Sequence, residues 1–160
     1  MILSYARNKH ISTIDFEDNS ILSRSTVEDT FFAAAVEMVI KIPDMEITSV
    51  KGMIERAFGE ECQKVMPSLQ KVKGLRIGPG IIKAIEEAVG GSEGCPRMAD
   101  LVWECCNGVI LRFTADSVGE IVGKKGQEQI EAHKELARRN PRLISSCIAF
   151  AEGSPLIEGL

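Results

Sequence analysis

The sequence predicts an α+β domain: an antiparallel β-meander with helices packed on one face. Two observations carry this. Between Ser20 and Glu55 apolar residues recur at every second position, the period of a strand, and after Gly59 they recur every three or four, the period of a helix. At 160 residues the chain is long enough to bury one substantial core without disulfides, so a single domain spanning 1–160 is expected.

Taken in order, residues 1–19 are weakly patterned, with Leu3, Tyr5, Ile11, Ile14 and Phe16 scattered among polar side chains; they form an arm or one strand. The stretch from Ser20, ILSRSTVED, alternates moderately and starts the meander assigned to residues 20–57. Phe32, Ala34, Val36, Met38, Ile40 and Ile42 then share one face of a long strand, which is expected to cover the helix from Pro96. Pro43-Asp44 supplies a turn, and Met45 to Glu55, with Ile47, Val50 and Ile54, returns as a further strand with a bulge near Gly52.

Residues 58–150 form the helical part. Cys62, Val65, Met66, Leu69 and Val72 are helically spaced, and Pro67 is expected to kink or divide that helix. Gly78-Pro79-Gly80 opens a short helix from Ile81 to Val89, closed by Gly90-Gly91. From Gly94 to Leu111 the pattern is clearest. Pro96 suits a first helical position, Cys95 precedes it as the N-cap, and Met98, Leu101, Val102, Cys105, Cys106 and Val109 form one stripe opposite Arg97, Asp100, Glu104 and Asn107. Ala115 to Val122 reads as a short helix, Lys124-Lys125-Gly126 as a loop and Gln127 to Arg139 as a charged helix ended by Asn140-Pro141. Leu143 to Phe150 is an apolar run, strand or buried helix, and residues 151–160 are a tail.

The net charge of −4 weighs against nucleic-acid or anionic-membrane binding. No apolar run approaches a membrane span, and the first ten residues carry charges where a signal peptide needs its apolar segment, so a cytoplasmic protein is expected. Five cysteines without a regular framework or a Cys-x-x-Cys fit reduced thiols, and any metal site must gather ligands from distant positions.

The thiols carry the chemical interest. A cysteine at a helix N-cap feels the unpaired N–H groups and the positive end of the dipole, which favour thiolate, nucleophilicity and metal binding, so Cys95 leads. Cys105 and Cys106 lie on the apolar stripe and read as core. Cys62 reads equally as core or as a partner facing Cys95, and Cys147, inside an apolar run, reads as buried, with metal ligation the alternative. His133 reads as a partly buried histidine with its hydrogen bonds satisfied. Gly78-Pro79-Gly80 is a tight turn without the spacing or lysine of a phosphate loop.

Ile121-Val122-Gly123-Lys124-Lys125-Gly126 resembles the Gly-x-x-Gly loop of KH nucleic-acid modules, which would set strands at Val109–Phe113 and Leu143–Phe150. Against it stand the continuous amphipathic helix through Val109 and the acidic Glu128, Glu131 and Glu135 of the next helix.

Gly94-Cys95, Met98 and Asp100-Leu101 resemble the Gly-Cys-Thr-His-Leu helix start of a bacterial family known only as a domain of unknown function. Cys62 with Leu69 and Gly74-Leu75 resembles that family's cysteine helix, and Pro141, Leu143 and Ser146-Cys147 its closing motif, so the resemblance spans residues 20–150. The family's histidine is Arg97 here, and no ligand or acid–base role carries over to it. The order of meander, cysteine-bearing helix and cysteine-started helix is also similar to the iron–sulfur scaffold fold of IscU, NifU N-terminal and SufE proteins. Cys62 and Cys95 would match its second and third cysteines, while no cysteine precedes Cys62 to match the first.

The expected function is therefore a thiol-centred scaffold or carrier. Cys62, Cys95 and Cys147 would hold zinc or an iron–sulfur cluster, or carry sulfur as a persulfide, with a sulfur- or metal-transfer protein as partner. The alternatives are a binding module without cysteine chemistry, the KH-like version included, and a cysteine-nucleophile enzyme, for which His133 is the one histidine of the helical half.

Overall fold

The computed structural model describes residues 4–160; Leu3, part of the expected arm, lies outside them. The chain divides into two compact units, Met1–Leu111 and Arg112–Leu160.

The first unit is built on four antiparallel strands in the order β1 (Arg7–Phe16), β2 (Ser20–Asp29), β3 (Ala33–Lys41) and β4 (Glu46–Arg56), each paired with the next. The meander thus starts earlier than its alternation suggests. Residues 7–16 pair along their whole length with β2, from Arg7 opposite Asp29 to Phe16 opposite Ser20. As an edge strand β1 is largely exposed, which is why it carries so few apolar residues.

Phe32, Ala34, Val36, Met38 and Ile40 are buried on one face, as period two requires, and meet Ile54, Gly52, Val50 and Ile47 across β4. The irregularities in this pairing fall between Ala33 and Ala34 and between Val39 and Ile40, flanking Gly52. Gly52 has another reason to lack a side chain: a Cβ there would run into Leu69, with Met66 and Met98 close behind. On the opposite face Arg24, Glu37 and Lys51 lie side by side across β2, β3 and β4, an alternating charge row suited to water.

Three helices complete this unit. Glu60–Val72 is one 3-10 helix with Pro67 inside it, where the spacing suggested an α-helix kinked or divided at the proline. Pro67 has no N–H to donate, so the backbone bonding of this helix is interrupted there whichever its pitch. Val65, Leu69 and Val72 turn inward from it. Gly74 to Ile77 then runs along β4, with Gly74 N–H donating to the Ile47 carbonyl and Ile47 N–H to that of Leu75. The helix α1 (Ile81–Val89) buries Ile81, Ile85 and Val89. The long helix α2 (Pro96–Gly119) buries the whole expected stripe, Met98 to Val109.

Hydrophobic burial of about 1.5–3 kcal/mol per large side chain holds α2 to the sheet, and polar contacts position it. Ser23 and Ser25, on the inner face of β2, donate hydroxyl bonds to the carbonyls of Cys105 (2.9 Å) and Leu101 (2.7 Å). Gly108 permits close approach, since a Cβ there would stand 2.8 Å from a methyl of Ile11. The helix does not stop near Leu111 but continues to Gly119, so Ala115 to Val122 is not a separate helix.

In the second unit α3 (Gly126–Arg139) buries Leu136 and Ala137, and an Arg139–Glu120 ion pair at 2.8 Å ties its end to the turn before it. Leu143 to Phe150 is neither strand nor buried helix. It forms short 3-10 turns at Pro141–Leu143 and Ile148–Phe150 with no buried residue, as a run with Ser145-Ser146 at its middle and a positive φ at Ser145 cannot keep one face inward. No helix of the described residues is long and apolar enough to cross a membrane.

Candidate functional site

Where Cys95 sits is decided by its neighbour. The Cys95 N–H donates to the Val89 carbonyl at 2.8 Å, and the Cys95 carbonyl accepts from Met98 and Ala99 at 3.0 Å, the backbone role of an N-cap. The chain turns from α1 into α2 so tightly that a Cβ on Gly94 would overlap the backbone oxygens of Val89 and Gly90. The Gly-Cys pair therefore has a packing reason independent of thiol chemistry.

Cys95 and Cys62 are both half-buried and pack against the core of the first unit. Cys147, in the second unit, is exposed rather than buried in an apolar run. The N–H groups of Ala149 and then Phe150 hold its thiol below the ordinary value. Cys105 and Cys106 are fully buried, as the stripe predicts; burial raises both thiols, Cys106 to about 12, so they remain protonated. Cys105 also lies 3.3 Å from the Ser25 hydroxyl and 3.5 Å from the Val36 carbonyl. Among the described residues no three or more His, Cys, Asp or Glu side chains are grouped as metal donors, and His133 is half-buried with Nδ1 2.7 Å from the Gln129 carbonyl. The KH-like expectation loses its frame, because Val109–Phe113 is helix and Leu143–Phe150 is not strand.

A different constellation occupies the end of the sheet where β1 and β3 begin and β2 and β4 finish. Its hub is Asp29, the last residue of β2, whose side chain is fully buried. One carboxylate oxygen accepts the N–H groups of Phe31 and Phe32, both at 2.8 Å, which shapes the β2–β3 turn. The other accepts Arg7 Nε (2.9 Å), Arg7 Nη2 (2.7 Å) and the Tyr5 hydroxyl (3.1 Å). Arg56 donates to the Asp29 backbone carbonyl at 2.7 Å. Arg97, in the first turn of α2, brings Nη1 to 3.7 Å from the same carboxylate.

Aromatic rings cover this charge. Tyr5, Phe31 and Phe58 form a ladder with centroids 6.4 and 5.6 Å apart and planes within 25° and 15°, and all three reach solvent. The Arg97 guanidinium lies over Phe32 at 5.0 Å and Phe58 at 5.7 Å, and Arg7 over Tyr5 at 5.6 Å.

Burial by itself raises the Asp29 carboxyl, but the Phe31 amide, the Arg7 guanidinium, the Phe32 amide and the Tyr5 hydroxyl together hold it far below the ordinary carboxylate range. A carboxyl depressed by folding stabilises the fold fully above its unfolded pKa, about 3.9, and loses that contribution as pH falls through this value toward the folded one. Urea midpoints between about pH 5 and pH 2 are therefore expected to fall less steeply in Asp29→Asn than in the wild type, with the variant less stable at neutral pH. Identical acid limbs would remove Asp29 from this role.

This cluster was missed in the sequence, although one signal was there. The inward phase Ile21, Ser23, Ser25, Val27 arrives at Asp29, a carboxylate placed where a core residue belongs. Helical spacing places Arg97 on the wet side of its helix, which marks it for no cluster. The ladder joins residues from opposite ends of 54 positions of chain, Tyr5 to Phe58, and has no local signature.

No curated protein and no solved structure matches the chain. A family model described as "Protein of unknown function (DUF2889)" matches residues 10–110. That match begins ten residues before the resemblance seen in the sequence and ends before Pro141 and Ser146-Cys147, covering most of the first unit from within β1 into α2. It takes in more than half of the 160 residues, so the chain belongs to this family of unknown function, DUF2889.

Proposed function

We propose that the chain is a binding module without catalysis of its own, engaging its ligand at the arginine–aromatic end of the sheet. One observation carries this: three solvent-reaching rings are stacked and braced by guanidiniums around a buried carboxylate whose hydrogen-bonding capacity is already used. Exposed aromatics stacked beside a buried polar hub fit recognition better than packing, since packing would bury them. Asp29 is unsuited to proton transfer because five donors hold it ionised. Side-chain NMR with a chemically mixed fragment library tests the reading. Hits should perturb Tyr5, Phe31 and Phe58, and a library that leaves all three rings unmoved would overturn it.

A second reading is favoured by a different observation: Cys95 is half-exposed at the start of α2 while Cys105 and Cys106 of the same helix are sealed. In this reading Cys95 and Cys62 hold zinc or an iron–sulfur cluster or carry a persulfide for exchange with a sulfur- or metal-transfer protein; Cys147, the expected third group, belongs to the second unit and is not counted in the site. Brief alkylation followed by mass mapping is expected to label Cys95 well before Cys105 and Cys106, whose thiols are buried and protonated. The carrier reading further requires bound metal or sulfur in anaerobically purified protein, and that this cargo shields Cys95 from the reagent.

A further inference from the structure

We propose that the arginine–aromatic end of the sheet binds a small aromatic oxyanion, a planar ring bearing one carboxylate or phosphate. This rests on the binding-module reading and names its ligand class.

The anionic half follows from Arg97. The Asp29 carboxylate offers about four lone-pair sites and already accepts five bonds, from Phe31, Phe32, Tyr5 and twice from Arg7. Arg97 is accordingly left at 3.7 Å, and its Nη1 is buried without a hydrogen-bond partner among the described residues. Attraction and ring contact hold this guanidinium with Nη1 inward toward Asp29; among the described residues no hydrogen bond engages its donors, and the rest of the side chain, 37% exposed overall, meets solvent. A planar fork of unpaired N–H groups is matched by a carboxylate or phosphate.

The aromatic half follows from the ladder. Phe58 is 76% exposed, yet its ring is aligned with Phe31 and beside Arg97. Both neighbouring pairs are already within the roughly 4.5–7 Å of direct ring contact, so a ligand ring stacks on the ladder from solvent and does not insert between its rungs. Ring and anion then meet Phe58 and Arg97 together.

The small size follows from charge. Arg7, Arg56 and Arg97 are accompanied by Asp29 and Glu28, and Glu60 and Glu61 follow Phe58 within three residues on a chain of net charge −4. Arg7 and Arg56 are hydrogen-bonded within the cluster and Arg97 is not, so Arg97 has room for one anionic group, whereas the surrounding carboxylates repel the repeated phosphates of a nucleic-acid strand.

Calorimetric titration of the full chain with adenosine monophosphate and with phenylacetate, against adenosine, inorganic phosphate and acetate, tests the proposal. At least one ring-bearing anion should saturate, perturb the Tyr5, Phe31 and Phe58 resonances, and bind about tenfold or more tightly than either of its halves. Which one saturates separates phosphate from carboxylate. Phe58→Ala and Arg97→Gln should each weaken binding about tenfold, and Arg97→Lys, which keeps charge without the planar fork, should restore it only in part. Halves binding as well as the whole, or a single-stranded oligonucleotide binding more tightly than adenosine monophosphate, would overturn the proposal. So would neutral fragments reaching the three rings while neither ring-bearing anion saturates, a result that leaves the binding-module reading standing. The resonance shifts are read on the wild type, so the proposal stays testable if a variant fails to fold.

Discussion

Gly94→Ala is expected to destabilise the fold by about 3 kcal/mol, the upper end of the usual cost of overpacking. The added methyl would overlap the carbonyl oxygens of Val89 and Gly90, and these are backbone atoms at the end of α1 with no rotamer to change. Relief requires the corner between α1 and α2 to open, which breaks the bond from Cys95 N–H to Val89. Gly59→Ala is the matched control: its backbone is extended and nothing lies within 4 Å of the new Cβ. That substitution should be neutral or stabilise by about 0.4–1 kcal/mol through the unfolded chain. Equal urea midpoints for the two variants would mean that the corner has room after all.

Leu101→Ala is expected to cost about 2–5 kcal/mol, lost transfer energy plus the cavity left behind. Leu101 is 1% exposed in the middle of the core stripe, and the Ser25 bond goes to its backbone carbonyl, so truncation removes packing and leaves that bond in place. Leu111→Ala on the same helix, at a position more than half exposed, should change stability by no more than about 0.5 kcal/mol. Denaturant unfolding of the pair checks the difference, and comparable losses would mean that α2 is not seated on the sheet as described.

These elements mark what could be read from residues alone. The inward faces of β3 and α2 were legible because each keeps one period over a full element, Phe32 to Ile40 in steps of two and Met98 to Val109 in steps of three and four. The strand β1 was half-legible, since an exposed edge strand has no need of alternation and its identity comes from pairing with β2. Serines at positions 23 and 25 obscured the inward phase of β2, because their burial depends on carbonyls of a helix some 80 residues away. Shorter separations, 22 and 24 residues to Arg7 and Tyr5, still hid the cluster around Asp29. Composition can flag a cysteine, but five hydrogen bonds converging on one carboxylate from Tyr5, Arg7 and a turn become visible only once the strands are aligned.

Ser23 and Ser25 have a consequence for how uniquely this fold is specified. Oily contact is nearly indifferent to sliding, and a helix on an apolar sheet has several docking positions of similar energy. Two residues of strand advance about 6.8 Å and four residues of helix about 6.0 Å. Hydroxyls two apart on β2 therefore come into step with carbonyls four apart on α2, as Ser23 and Ser25 do with Cys105 and Leu101. A shift by a fraction of a helical turn strands both hydroxyls in a dry interface, at about 1–3 kcal/mol each. The pair works as a vernier: it adds little to the depth of the native well but leaves the helix only stops a full turn apart, and the stop taken sets where Arg97 meets the sheet end.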